Sequence, residues 1–180
     1  MPYRRRYTRN RGMWNQILLE RTFTGLRKQD ADENGVSMQT YDIVENSLPN
    51  VGDDDFLASA AYPSAAPVLR VKHAQANIII PQSPHTVAIS HIEAFICYLP
   101  QGVPWDAKTP IFHPEWVMAR RICPLVQGGS TAIYMKSPLV RNLNSGDRIV
   151  LVLRVTYLAE ANEAASIIPI AQTLCVTKAN

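Results

Sequence analysis

The sequence predicts an all-β domain, a two-sheet antiparallel sandwich behind a strongly basic leading segment, and three observations point that way. Seven stretches rich in β-branched and aromatic residues follow one another with no helical periodicity between them. Twelve of the thirteen prolines fall in the gaps or at the ends of those stretches, as expected of a residue that cannot donate to a sheet ladder. The basic excess is confined to one end. Residues 1–28 hold eight cations against Glu20, a net of +7, whereas residues 29–180 hold ten against fourteen acids, a net of −4. With 180 residues and 47% hydrophobic content, the chain can build one domain with a real core.

In order along the chain, MPYRRRYTRNRG (residues 1–12) has no apolar periodicity, five mutually repelling arginines, and a proline and a glycine as breakers. It is expected to be disordered without a polyanion. MWNQILLERTFTGLRK (13–28) is the first stretch apolar enough to dock on a core; helix and strand both fit, and the alternation Leu19, Arg21, Phe23 favours strand. Residues 1–28 are therefore read as a basic arm with its lead-in, and 29–180 as the globular body.

Strands are expected over Val36–Val44, Val68–Ile80, Thr86–Leu99, Glu115–Cys123, Thr131–Ser137, Asp147–Leu158 and Ile168–Lys178. The clearest is Asp147–Leu158, where Ile149, Leu151, Leu153, Val155 and Tyr157 share one face, Arg154 and Thr156 take the other, and the turn formers Asn144, Ser145 and Gly146 precede it. With the lead-in this makes about eight strands and no strand–helix alternation, which argues against a parallel α/β sheet. An eight-stranded antiparallel jelly-roll sandwich fits best, with a barrel or an immunoglobulin-like sandwich close behind.

Catalytic groupings are not evident. His91 and Glu93 form an H-x-E pair about thirty residues before Cys123, which superficially matches a zinc-dependent nucleobase deaminase, but that site needs a P-C-x-x-C pair and Cys123 stands alone before Pro124. The simpler reading places His91 and Glu93 on the opposite side of a strand from Ile92 and Ala94. Gly128, Gly129 and Ser130 lack the spacing of a phosphate-cradling loop, and His73, His85, His91 and His113 lack metal-ligand spacing. No catalytic residue, metal or cofactor is assigned. Asp53, Asp54 and Asp55 could offer oxygens to a calcium ion, although a solvated loop accounts for them as well. Cys97, Cys123 and Cys175, each among apolar residues, read as reduced core thiols. No apolar run approaches the length of a membrane span, and no apolar core follows the basic start as a secretory leader would require.

The arm offers the most chemistry. Arginine keeps its charge and forks onto phosphate oxygens, so Arg4, Arg5, Arg6, Arg9 and Arg11 make a phosphate-binding strip. Tyr3, Tyr7 and Trp14 are interleaved with them, and stacking on unpaired bases contributes about 1–3 kcal/mol each. The expected ligand is single-stranded nucleic acid, DNA or RNA, bound without sequence preference through Arg4, Arg5, Arg6, Tyr7, Arg9, Arg11 and Trp14.

Three segments carry a resemblance. AFICYLPQG (94–102), HPEWVMARRI (113–122) and LVRNLNSGDRIVLVL (139–153) are similar to stretches of capsid proteins of circular, Rep-encoding single-stranded DNA viruses. Within these, the small coat proteins resembling those of satellite tobacco necrosis virus fit best, over about residues 86–158 plus the arginine-rich start. The resemblance implies a single jelly roll, sixty copies in a T = 1 icosahedral shell, and arms lining the interior against circular single-stranded DNA. Sixty such arms would bring roughly 300 positive charges to the genome. It further implies a virion location, passage through the host nucleus, self-association as the main partnership, and no enzymatic role. The alternative is a cellular β-sandwich or barrel that binds RNA or single-stranded DNA as a small oligomer.

Overall fold

The computed structural model describes residues 14–46, 68–82, 88–105, 113–124 and 130–179. Eleven strands lie among them: β1 Asn15–Thr22, β2 Leu26–Arg27, β3 Val36–Glu45, β4 Val68–Ile80, β5 Ile89–Leu99, β6 Val117–Pro124, β7 Thr131–Ser137, β8 Arg141–Asn144, β9 Arg148–Tyr157, β10 Ser166–Ile167 and β11 Ile170–Ala179. They form two antiparallel sheets and one short ribbon. Sheet I has the order β1-β11-β4-β7, with β8 also on β4; sheet II has the order β3-β9-β5-β6; β2 pairs β10.

The lead-in segment is resolved in favour of strand, since Asn15–Thr22 pairs along its whole length with β11. β7 and β8 are two halves of one strand. Both pair with the continuous β4, at Ala74–Ile80 and Val68–Val71, and Pro138 lies in the gap, where its missing N–H would break the ladder. Counted this way there are eight principal strands, and their pairing is nested: first with last, second with seventh, third with sixth, fourth with fifth. That winding of one long hairpin, with β4 on β11 and β5 on β9 closing each sheet, is the jelly-roll topology. The expected fold class stands.

Several expected boundaries shift; β11, for one, begins at Ile170 rather than Ile168. Pro114, Glu115 and Trp116 form a single 3-10 turn with Pro114 at its first position, so β6 begins at Val117 rather than Glu115. β5 begins at Ile89 rather than Thr86, while Pro84 and residues 83–87 fall outside the described residues. The acidic run Asp53–Asp55, Gly128 and Gly129 also lie outside them.

The main core lies between the sheets. Ile17, Leu69, Val71, Ile78 and Cys175 of sheet I meet Ile43, Ile92, Ile96, Leu151, Leu153 and Val155 of sheet II, all buried. Each side chain of this size contributes about 1.5–3 kcal/mol on burial. A second cluster, Phe95, Cys97, Leu99, Val150 and Val152, sits on the far side of sheet II, with Met38, Val117, Trp105 and Trp116 packed over it. Sheet II is therefore apolar on both faces, which is why β5 and β9 read as nearly continuous hydrophobic runs.

The turn into β9 is fixed by Asp147. Its carboxylate accepts hydrogen bonds from the Tyr98 hydroxyl at 2.9 Å, the Gln101 backbone N–H at 3.1 Å and the Asn144 backbone N–H at 2.9 Å. Gly146 takes a φ of +82°, and an added Cβ would come within 2.5 Å of the Gln101 side chain. Glycine is required there both for the turn and for the room.

Candidate nucleic-acid interface

Of the seven residues expected to bind nucleic acid, Trp14 is described; Arg4, Arg5, Arg6, Tyr7, Arg9 and Arg11 lie outside the described residues. Trp14 is 41% exposed and immediately precedes the Asn15–Thr177 pair of β1 and β11. The Lys72 ammonium stands 5.7 Å from the centre of its ring. This contact orients the indole while leaving much of it open, a geometry suited to stacking on a base.

Lys72 is placed there by an irregularity in β4. Thr177 pairs with Val71 and Val176 with His73, so Lys72 is the extra residue of a β-bulge. Val71 and Ala74 are both buried, so the bulge puts two consecutive side chains, Lys72 and His73, on the solvent side. One position further back, Arg70 and Lys178 are direct cross-strand partners. Lys136 on β7 pairs with Gln75, on the same open face. The alternation of buried and exposed residues on these strands confirms the direction, since Leu69, Val71, Met135 and Thr177 all point inward.

The charge pattern of this sheet is one-sided. Strands β4, β7, β8 and β11 contain no Asp or Glu, but carry Arg70, Lys72, Lys136, Arg141 and Lys178. Arg141 is engaged elsewhere, donating to the Glu115 backbone oxygen and lying 5.5 Å from the Tyr98 ring. Among the described residues, Arg70, Lys72, Lys136 and Lys178 form no ion pair. The one acid on the open face, Glu20 of β1, accepts a hydrogen bond from the Gln172 amide at 2.9 Å. Along the same face Leu18, Ile79, Ile170 and Tyr134 are also exposed.

Sheet II handles charge differently. Glu93 is only 4% exposed and lies between two guanidiniums, Arg120 and Arg154, the latter at 3.3 Å. Arg148 sits 3.5 Å from Asp42 and also donates to the Val103 carbonyl. Arg120 is held in a salt bridge with Glu93. His91 and Glu93 do lie opposite Ile92 and Ala94, and His91 Nε2 is 3.4 Å from the Thr156 hydroxyl. Cys123 instead packs against the inter-sheet core, so no deaminase-like grouping forms. Among the described residues, no three His, Cys, Asp or Glu side chains gather as a metal site.

Trp116 is part of the cover over the outer cluster, and His113 stacks on it with ring centres 3.8 Å apart. His113 Nδ1 is 3.1 Å from Glu115, whose carboxyl is lowered first by its own backbone N–H and then by the His113 ring. Burial raises the thiols, Cys97 strongly and Cys175 to about 12. Burial also pushes the Tyr157 hydroxyl up to about 12; it donates to the Leu26 carbonyl and ties the β2–β10 ribbon to sheet II.

No protein-family model matches the sequence, and no curated protein matches it. Solved structures give fold-level likenesses. A chain of desmodium yellow mottle tymovirus aligns at a TM-score of 0.46 and 11% identity, covering 94% of this chain and 89% of that one. A chain of turnip yellow mosaic virus aligns at 0.43 and 10%, covering 93% and 94%. Eiger TNF from S. frugiperda aligns at 0.34 and 8%, covering 91% and 93%. The jelly-roll topology stands on the strand pairing itself.

Proposed function

We propose that the chain is a viral capsid protein. Copies of it self-assemble into a closed icosahedral shell, sixty per shell in a T = 1 arrangement, and package single-stranded DNA through Arg4, Arg5, Arg6, Tyr7, Arg9, Arg11 and Trp14. The observation that carries this reading is the division of charge across one jelly roll. A segment of net +5, residues 1–14, leads into the edge strand β1 of a sandwich whose remaining residues, 15–180, are net −2. A body with net charge stays soluble before assembly, and a cationic arm neutralises a packaged polyanion. The resemblance of residues 94–102, 113–122 and 139–153 to small coat proteins of Rep-encoding single-stranded DNA viruses supplies the shell size and the genome type. On this reading the protein resides in the virion and assembles in the host nucleus.

The test is to express the full chain and a form lacking Met1 to Gly12, image both by negative-stain microscopy and record the absorbance ratio at 260 and 280 nm. Uniform closed shells from both forms are expected, with the ratio of the shortened form falling towards that of free protein. A full chain that remains a monomer or small oligomer under assembly conditions overturns the capsid reading.

A further inference from the structure

We infer that the basic end of sheet I is a second nucleic-acid surface, continuous with the arm, on which Arg70, Lys72, Lys136 and Lys178 hold the phosphates of the strand whose bases stack on Trp14. The inference deepens the proposed function and rests on it for the identity of the polyanion.

Four observations converge. First, Arg70 and Lys178 are registered directly opposite one another, and like charges in that relation destabilise a sheet. Elsewhere in the fold most described arginines of the body strands pair or donate, Arg120 and Arg154 to Glu93, Arg148 to Asp42 and Arg141 to a backbone carbonyl, with the exposed Arg121 of β6 the exception. The four cations of the open face have no such partner among the described residues, so the fold sustains a repulsion that an external anion would relieve. Second, the bulge at Lys72 adds one cation to the face that a regular β4 would have lacked, and seats it beside Trp14. Third, the half-exposed His73 follows Lys72 on that face, because the bulge turns both side chains outward between the buried Val71 and Ala74. Fourth, the patch adjoins the start of β1, since Trp14 directly precedes the Asn15–Thr177 pair and Lys178 is the next residue of β11. A strand held by the arm passes over this face without crossing any acid of β4, β7, β8 or β11.

The inference also orients the subunit. If the arm and this patch engage one strand, sheet I faces the lumen and the Trp-covered face of sheet II does not.

The experiment uses the full chain and fluorescein-labelled oligothymidylate, with anisotropy read across a salt series. Phosphate contacts set the salt dependence, each adding about 0.7 to the slope of log K against log salt for single strands. The triple variant Arg70→Ala, Lys72→Ala, Lys178→Ala is expected to lower that slope by about 2. Arg121→Ala, an exposed cation off the patch, should leave it unchanged, and the charge-keeping set Arg70→Lys, Lys72→Arg, Lys178→Arg should retain it. An unchanged slope in the triple variant overturns the inference. Should that variant fail to fold, ultraviolet cross-linking of the unaltered chain to the same oligonucleotide decides: adducts on peptides of β4 and β11 support the surface, and adducts confined to residues 1–14 overturn it. Negative-stain images of the unaltered chain separate the two readings. Closed shells with an unchanged slope leave the capsid reading standing without the surface; a lowered slope without shells leaves the surface standing without the capsid.

Discussion

The two sheets of the sandwich share a core but differ on their outer faces. Sheet II covers its outer face with its own chain: Phe95, Cys97 and Val152 lie under Trp105, Trp116 and Met38, and its buried carboxylate is neutralised by two arginines. Sheet I leaves its outer face open, with Leu18 at 71% and Tyr134 at 58% exposure and four cations without ion-pair partners among the described residues. One face is covered by folding; the other, among the described residues, is left exposed and one-sided in charge. The contrast teaches where stability and where binding should be sought.

Substitutions can break this contrast. Phe95→Ala removes the centre of the covered cluster, where Trp105 sits 5.8 Å from the ring, and should cost about 4 kcal/mol by urea denaturation, whereas Tyr134→Ala on the open face should cost under about 0.5 kcal/mol. Equal losses would mean that the two faces are not distinct. Glu93→Ala removes a buried carboxylate from between the partly exposed Arg154 and the half-exposed Arg120, which water can then solvate, and should cost about 2 kcal/mol, below the loss for a fully buried pair. A loss below about 1 kcal/mol, the scale of an exposed pair, would show that solvent already screens the triad.

Ionisation sharpens the comparison further. Cys175 and Tyr157 ionise near 9 and 10 when exposed, but near 12 in the fold. Both folded values are raised, so the stability they contribute is present below pH 9 and is lost as pH rises from 9 towards 12. The denaturation midpoint should fall across that window; a midpoint flat to pH 12 would contradict the burial. Burial holds the Cys175 and Cys97 thiols protonated at pH 8 and out of reach of solvent, so in the native protein the half-buried Cys123 should react first with Ellman's reagent. The smallest effect belongs to the open face. Lys178→Ala relieves repulsion with Arg70 and should raise stability at low salt by about 0.3 kcal/mol, a change that vanishes when salt is added.

Much of this architecture is legible in the sequence, and the exceptions have physical reasons. β4 and β7 match their expected limits because prolines or turn residues bound them, and β7 alternates regularly throughout. β8 and the β2–β10 ribbon are two to four residues long, too short for a period to register. The prolyl turn before β6 reads as strand in the sequence because Trp116 and Val117 have strong β propensity, whereas Pro114 favours the first position of a helical turn. At the candidate interface, the arm is a run and is visible as one. The patch is not, because Arg70, Lys136 and Lys178 stand on three strands and meet only through register. The signal that was available is compositional: four strand segments with five cations and no acid.

The nested pairing also sets the order in which the molecule can form. β1 rests on β11, and Asn15 meets Thr177 across almost the whole chain. A contact of such sequence separation forms slowly, because the entropy of closing the loop is lost before any packing is gained. The root of the arm is thus anchored only after the last strand has been synthesised and seated. A partly made chain has no complete sheet I, so the basic face formed by β4, β7 and β11 exists only in the finished subunit.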